Sequence, residues 1–100
     1  FVGHIEDFLK KLSKDFSIQK VIFFGSRATG KPRKDSDVDL IIVSDDFKEM
    51  DFFERVSKMY DYWTLDIPVD FLCYTMREFE MLKKKISIVK EALANGIAIK

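Results

Sequence analysis

Residues 23–43 read FFGSRATGKPRKDSDVDLIIV, and the reading of the whole chain turns on the acids inside this stretch. Asp37 and Asp39 stand at the head of a run that otherwise has the composition of a buried strand. In a strand, residues two apart share a face, so both carboxylates project together while Val38 and Leu40 point into the core. Like charges held that close repel each other, and burial strips their hydration, so the pair needs either open solvent or a counter-cation. Gly25-Ser26 ends the apolar run before it, with ten residues between Ser26 and Asp37. A residue without Cβ lets backbone amides approach a phosphate closely, and the Ser26 hydroxyl adds a donor.

The segments on either side supply the elements that hold this stretch. Ile5, Phe8, Leu9, Leu12 and Phe16 recur at helical spacing and predict an amphipathic helix from about Val2 to Asp15. Ile18 to Phe24 is a short β-branched and aromatic run, a strand stopped by Gly25. Ser26 to Ser36 reads as a loop. Asp37 to Val43 reads as a second strand, parallel or antiparallel to the first. Asp51 with Glu54 resembles a capping box, followed by a helix to about Trp63. Asp66 to Tyr74 is a third strand, with Val69, Phe71 and Cys73 on one face and Asp70 and Leu72 on the other. Thr75 and Glu78 form a further capping box, starting a helix through about Lys84. Another helix spans Ile86 to Ala94, with Asn95-Gly96 as its left-handed stop, and Ile97 to Lys100 begins a closing strand. The order α-β-β-α-β-α-α-β predicts an α/β or α+β fold, a small mixed sheet with flanking helices.

Composition narrows the function classes. At 100 residues the chain is expected to form one domain, 1–100, with a single core. Apolar residues make up 47% and charged residues 34%, a globular balance. The 17 basic and 17 acidic side chains cancel, so no global field draws the protein to nucleic acid or to an anionic membrane, and neither is expected as a direct partner. The single Cys73 cannot close an intramolecular disulfide, and no signal peptide or long apolar run appears; the expected location is cytoplasmic.

Any electrostatic work is therefore local. Asp37 and Asp39 supply the hard oxygen donors that Mg²⁺ prefers. Asp70, on a separate strand, adds a third carboxylate to the same face if the two strands are neighbours, and three acids suffice for two ions. Arg27, Lys31, Arg33 and Lys34 place positive charge between the glycine and the acids, enough to meet a triphosphate. Of these, Arg27 is the candidate phosphate or partner contact. Ser36, next to the acids, is positioned to hold the first carboxylate or to cap the turn. Plainer readings stand beside these: a solvated strand end for the acids, a solubilising loop for the cations, and Asp66 as rival to Asp70. His4 reads as a surface or packing residue and Cys73 as core. Phe52, Phe53, Tyr60, Tyr62 and Trp63 read as helix core with some spillover onto a partner surface.

Phe24-Gly25-Ser26, ten residues, then Asp37-Val38-Asp39-Leu40 resembles the signature of the nucleotidyltransferase superfamily that includes DNA polymerase β. Val69-Asp70-Phe71 matches its later third acid. The GSRATG opening and small size resemble the minimal nucleotidyltransferase (MNT) domain. This resemblance implies the polymerase β palm-like fold and transfer of AMP from ATP with two Mg²⁺ ions. It implies that Asp37 and Asp39 bind both metals, that Asp70 binds the catalytic one and helps deprotonate the acceptor, and that Gly25 and Ser26 cradle the β- and γ-phosphates. Such domains are similar to antitoxins paired with a HEPN-domain ribonuclease toxin, whose tyrosine hydroxyl is then the expected acceptor, in a hetero- or homo-oligomer. These 100 residues hold none of the domains that grip primer, tRNA or antibiotic in larger relatives, so the acceptor is expected to arrive on a partner. The alternatives are a non-catalytic module that neutralises its partner by occlusion, and a small-molecule transferase acting with a helper subunit.

Overall fold

The structure, a computed structural model, describes residues 1–25, 27–28, 37–85 and 87–100. Its elements are α1 (Val2–Leu12), β1 (Lys20–Phe24), β2 (Val38–Val43), α2 (Phe52–Tyr60), β3 (Val69–Tyr74), α3 (Met76–Leu82), α4 (Ile88–Asn95) and β4 (Ile97–Ala98), with a 3-10 turn at Asp45–Phe47. The predicted order holds in full. The four strands form one mixed sheet in the order β3-β2-β1-β4. Strand β2 lies antiparallel to β1 and parallel to β3, and β4 pairs antiparallel with β1.

Period-two alternation sends each strand's side chains to two separate cores. Val21, Phe23, Val38, Leu40, Ile42, Val69, Phe71 and Cys73 pack with Ile5, Phe8 and Leu12 of α1 and Met59 of α2. Ile22, Ile41 and Val43 face the other way, against Phe79 of α3 and Val89 and Ala92 of α4. Helices thus cover both faces, α1 and α2 on one and α3 and α4 on the other. Among the described residues no helix is long and apolar enough to cross a membrane.

Several predicted boundaries shift for local reasons. Helix α1 stops at Leu12, where Lys14, Asp15 and Phe16 turn back onto the carbonyls of Lys11 and Leu12. Helix α2 ends at Tyr60, but its course continues to Trp63 through tighter turns in which the amides of Asp61, Tyr62 and Trp63 bond three residues back. Strand β3 starts at Val69 rather than Asp66, since Pro68 has no amide to give the ladder. The Asp51 carboxylate caps α2 by accepting from the Glu54 amide, and the reciprocal box forms fully at Thr75–Glu78.

One expectation is corrected. Gly96 is not a left-handed stop: its φ is −90° and its ψ 177°, an extended conformation open to any residue. What requires glycine there is space. A Cβ would sit 2.5 Å from the Ala92 carbonyl oxygen and 2.9 Å from that of Phe23, where α4 turns into β4 against β1. Among the described residues the positive φ belongs to Gly25.

Arg55 is also unlike its sequence neighbours. It lies buried on α2, donating to the carbonyls of Phe47, Met50 and Cys73 and to the Glu78 carboxylate at 2.6 Å. A cation inside the fold is tolerable because charge-assisted bonds replace its hydration. It ties α2, the 3-10 turn, β3 and α3 together.

Candidate active site

Three element ends meet at one end of the sheet. Because β1 runs antiparallel to β2, its last residues lie beside the first residues of β2; because β3 runs parallel to β2, it begins there too. The register places Asp39 directly opposite Phe24 on one side and Asp70 on the other. Alternation puts Asp39 in line with Ile41 and Val43, and Asp70 in line with Leu72 and Tyr74, on the face that α3 and α4 cover farther along. Asp37 precedes the strand by one residue and is exposed, as is Asp70, while Asp39 is half-buried. The adjacency of Asp39 and Asp70, which the sequence could pose only as a condition, is present.

The Asp39 carboxyl is perturbed by its surroundings. Burial raises its carboxyl above the ordinary value, and the charges of Asp70 and Asp37 add to the rise. The same two acids reach Tyr60, whose phenol is raised first by burial and then by Asp70 and Asp37. A counter-cation would relieve both effects.

Gly25 lies beneath Asp39. Its φ is +87°, which L side chains rarely adopt, and a Cβ built on it would fall 2.2 Å from Asp39 Oδ2. Glycine is required twice at this point, for its backbone angle and for the approach of the carboxylate. The hard-oxygen character of the acids fits a Mg²⁺–phosphate group. Among the described residues no three acids, histidines or cysteines converge closely enough, as their side chains stand, to surround one ion. The fit therefore rests on the donor type, the Asp39–Asp70 register and the mutual field of the carboxylates.

Arg27 is half-buried, its guanidinium over the Phe1 ring at 5.6 Å, and that ring packs on Phe23 of β1 at 5.9 Å. It thus stays at the site end of β1. Ser26 and Ser36, and with them Lys31, Arg33 and Lys34, lie outside the described residues. Asp66, the rival acid, is exposed in the turn before β3, away from the strand register that joins Asp39 to Asp70. His4 is exposed on α1, and Cys73 is buried with its thiol pushed up to about 12 by loss of hydration. A groove of about 420 Å³, lined by Met50, Phe52, Arg55, Tyr74, Glu78 and Met81 among others, opens at the far end of β3 from Asp70 and takes no part in this constellation.

The sequence reading missed what Tyr60 and Trp63 do. Both present donors rather than only apolar rings: the Tyr60 hydroxyl bonds the Val69 carbonyl, and Trp63 Nε1 bonds that of Ile67 at 2.9 Å. The available signal was their spacing, one helical turn apart at the end of α2 and just ahead of a proline-led strand.

Residues 5–95 match the nucleotidyltransferase domain family. The chain belongs to that family. Its fold is shared with solved structures of low sequence identity. One, a candidate nucleotidyltransferase from Sulfolobus solfataricus, is 21% identical with a TM-score of 0.68, the match covering 97% of this chain and 77% of that one. A toxin–antitoxin structure with AMP-PNP is 22% identical with a TM-score of 0.62, covering 95% and 72%. The toxin–antitoxin pair MntA-HpeT, in a mutant with two aspartates changed to glutamate, is 17% identical with a TM-score of 0.63, covering 100% and 73%. No curated protein matches the chain. As a nucleotidyltransferase domain, the chain has the fold the resemblance implied: an α+β body with a mixed four-stranded sheet.

Proposed function

We propose that this nucleotidyltransferase domain moves AMP from ATP to a tyrosine hydroxyl of a partner protein, a HEPN-type ribonuclease toxin that the modification silences in the cytoplasm. The observation that carries the reading is Asp39, held between its register partner Asp70 and the bare backbone of Gly25 at one end of the sheet. Two of the structural neighbours are toxin–antitoxin assemblies, and one holds AMP-PNP, an ATP analogue. Both facts support the choice of substrate and partner.

In this reading Asp37 and Asp39 hold the metal ions, with Asp70 holding the catalytic one. When bound, two Mg²⁺ ions would neutralise the triphosphate and ease ionisation of the acceptor hydroxyl. The Gly25–Ser26 backbone takes the β- and γ-phosphates, Arg27 adds a phosphate contact, and Ser36 steadies the Asp37 carboxylate. The acceptor oxygen forms its new bond to the α-phosphorus in line with the departing pyrophosphate, which leaves with the bonding electron pair. The acceptor proton passes to Asp70. No covalent enzyme intermediate is involved, so catalysis is positioning and charge stabilisation. Phe53 on α2 is 82% exposed and Phe52 is 53% exposed, apolar surface suited to holding the partner that brings the hydroxyl.

The test is to incubate the protein with α-labelled ATP, Mg²⁺ and its co-encoded partner, and to weigh the partner intact. The partner should gain one or more AMP units with release of pyrophosphate, and Asp39→Asn should abolish the gain. A stable complex with no mass gain would overturn transfer and leave neutralisation by occlusion.

A further inference from the structure

Among the described residues strand β3 is an edge of the sheet, so Asp70 sits on a strand with a described hydrogen-bonded neighbour, β2, on one side only. The acid it carries lies opposite Asp39, a like charge, which pushes the free edge outward. Strand ends at an edge fray most readily. Something must hold this end down.

The three residues that lead into Asp70 are each tied through their carbonyls. Trp63 Nε1 donates to the Ile67 carbonyl at 2.9 Å, the Val38 amide to that of Pro68 at 2.9 Å, and the Tyr60 hydroxyl to that of Val69. The middle bond extends the ladder to β2. The other two, on alternate residues, point away from the sheet, where an edge strand's carbonyls ordinarily meet water. The outer donors come from the last residue of α2, Tyr60, and from Trp63 three residues beyond it in the turns that continue its course. Their rings lie edge-on to Phe71, at 5.0 Å for Tyr60 and 6.0 Å for Trp63, on the face opposite Asp70. Trp63 is anchored in turn by Phe8 of α1 at 5.3 Å. The hydroxyl and the indole N–H thus grip the strand on both sides of Pro68, from a helix end that is itself packed into the core.

We propose that Tyr60 and Trp63 are positioning residues, a two-point clamp that holds the start of β3 and so keeps Asp70 opposite Asp39 against their repulsion. This rests on the reading of Asp70 as a metal ligand given above. The clamp touches neither substrate nor metal; it acts through the strand.

Mn²⁺ titrated by electron paramagnetic resonance in the presence of AMP-PNP reads the effect without an acceptor. Outer-shell partners of metal ligands typically contribute about 10-fold or more in metal affinity. Tyr60→Phe, which keeps the ring on Phe71, and Trp63→Phe, which removes the N–H, should each weaken Mn²⁺ by about 10-fold. Excess Mn²⁺ should restore occupancy. In an Asp70→Asn background the same two changes should weaken Mn²⁺ no further, a coupling that a general loss of stability would not produce. If Asp70→Asn alone leaves Mn²⁺ affinity unchanged, the reading of Asp70 fails and the clamp loses its object. If Asp70→Asn weakens Mn²⁺ but the clamp variants do not, or weaken it equally in both backgrounds, the clamp is wrong while the reading of Asp70 stands. Loss of the fold in both variants would also overturn it, since a clamp on one strand end does not carry the domain.

Discussion

Replacing Gly25 by alanine separates the two reasons for glycine under the site. The first is the backbone: at φ +87° a side chain is strained by about 1–2 kcal/mol. The second is the carboxylate: the new Cβ would lie 2.2 Å from Asp39 Oδ2 and 3.2 Å from its Cγ, so Asp39 must rotate. Pushing a short side chain off its rotamer costs about 1 kcal/mol. Together these predict a loss of about 2–3 kcal/mol, or roughly 8–24 °C in Tm for a domain of this size. Thermal and urea unfolding in the presence of a chelator, in wild-type and Asp39→Ala backgrounds, would resolve the parts. With the carboxylate gone only the backbone cost remains, so Gly25→Ala should cost about 1 kcal/mol less in that background. Mn²⁺ binding with AMP-PNP should fall sharply in Gly25→Ala, because the displaced ligand is the one between the other two elements of the site. An equal cost in both backgrounds would refute the placing of Asp39 over Gly25.

Arg55→Met leaves the carbonyls of Phe47, Met50 and Cys73 without their donor and should cost about 3–5 kcal/mol, moving the urea midpoint by more than about 1 M. A shift too small to measure would mean that those bonds are replaceable by packing. At Glu78 burial favours the neutral acid, but the bonds from Arg55 and the Thr75 amide outweigh it and lower the carboxyl below its ordinary 4.5. A lowered value stabilises the fold above pH 4.5 and loses that stability as pH falls through the folded value, so the Tm gap between wild type and Glu78→Gln should be constant near neutrality and close in acid. A gap independent of pH down to the acid transition would count against the pairing. Cys73, fully buried and with its thiol raised to about 12, should react with a thiol reagent at pH 8 only at the rate of unfolding, and rapid labelling of the folded protein would contradict its packing.

What could be read from the sequence was whatever rests on local spacing. The period of two put Val69, Phe71 and Cys73 opposite Asp70 and Leu72, and the Thr75–Glu78 box needed only an offset of three. The register that sets Asp70 against Asp39 was not legible, because strand pairing across a crossover is decided by how α1 and α2 pack on the sheet rather than by either strand. Gly96 misled for a related reason: Asn-Gly after a helix signals a backbone angle, whereas here the constraint is the distance to the carbonyls of Ala92 and Phe23. Arg55, Tyr60 and Trp63 escaped notice because an arginine on a helix reads as solvated and aromatic residues read as core. Their bonds to distant carbonyls exist only once the chain has folded.

The mixed pairing of β2 also orders the birth of the site during synthesis. Asp39 belongs to an antiparallel pair, β1 with β2, and Asp37 stands one residue before it; the contacts of that pair are close in the chain and quickly made. Asp70 arrives on the far side of the crossover from Val43 to Val69, and parallel pairing needs that whole connection in place. A chain paused on the ribosome before α2 has emerged therefore carries Asp37 and Asp39 without Asp70. Only when Val69 to Tyr74 dock beside β2 does Asp70 come to lie opposite Asp39, so on the proposed reading a nascent copy gains its third acid in a separate, later step.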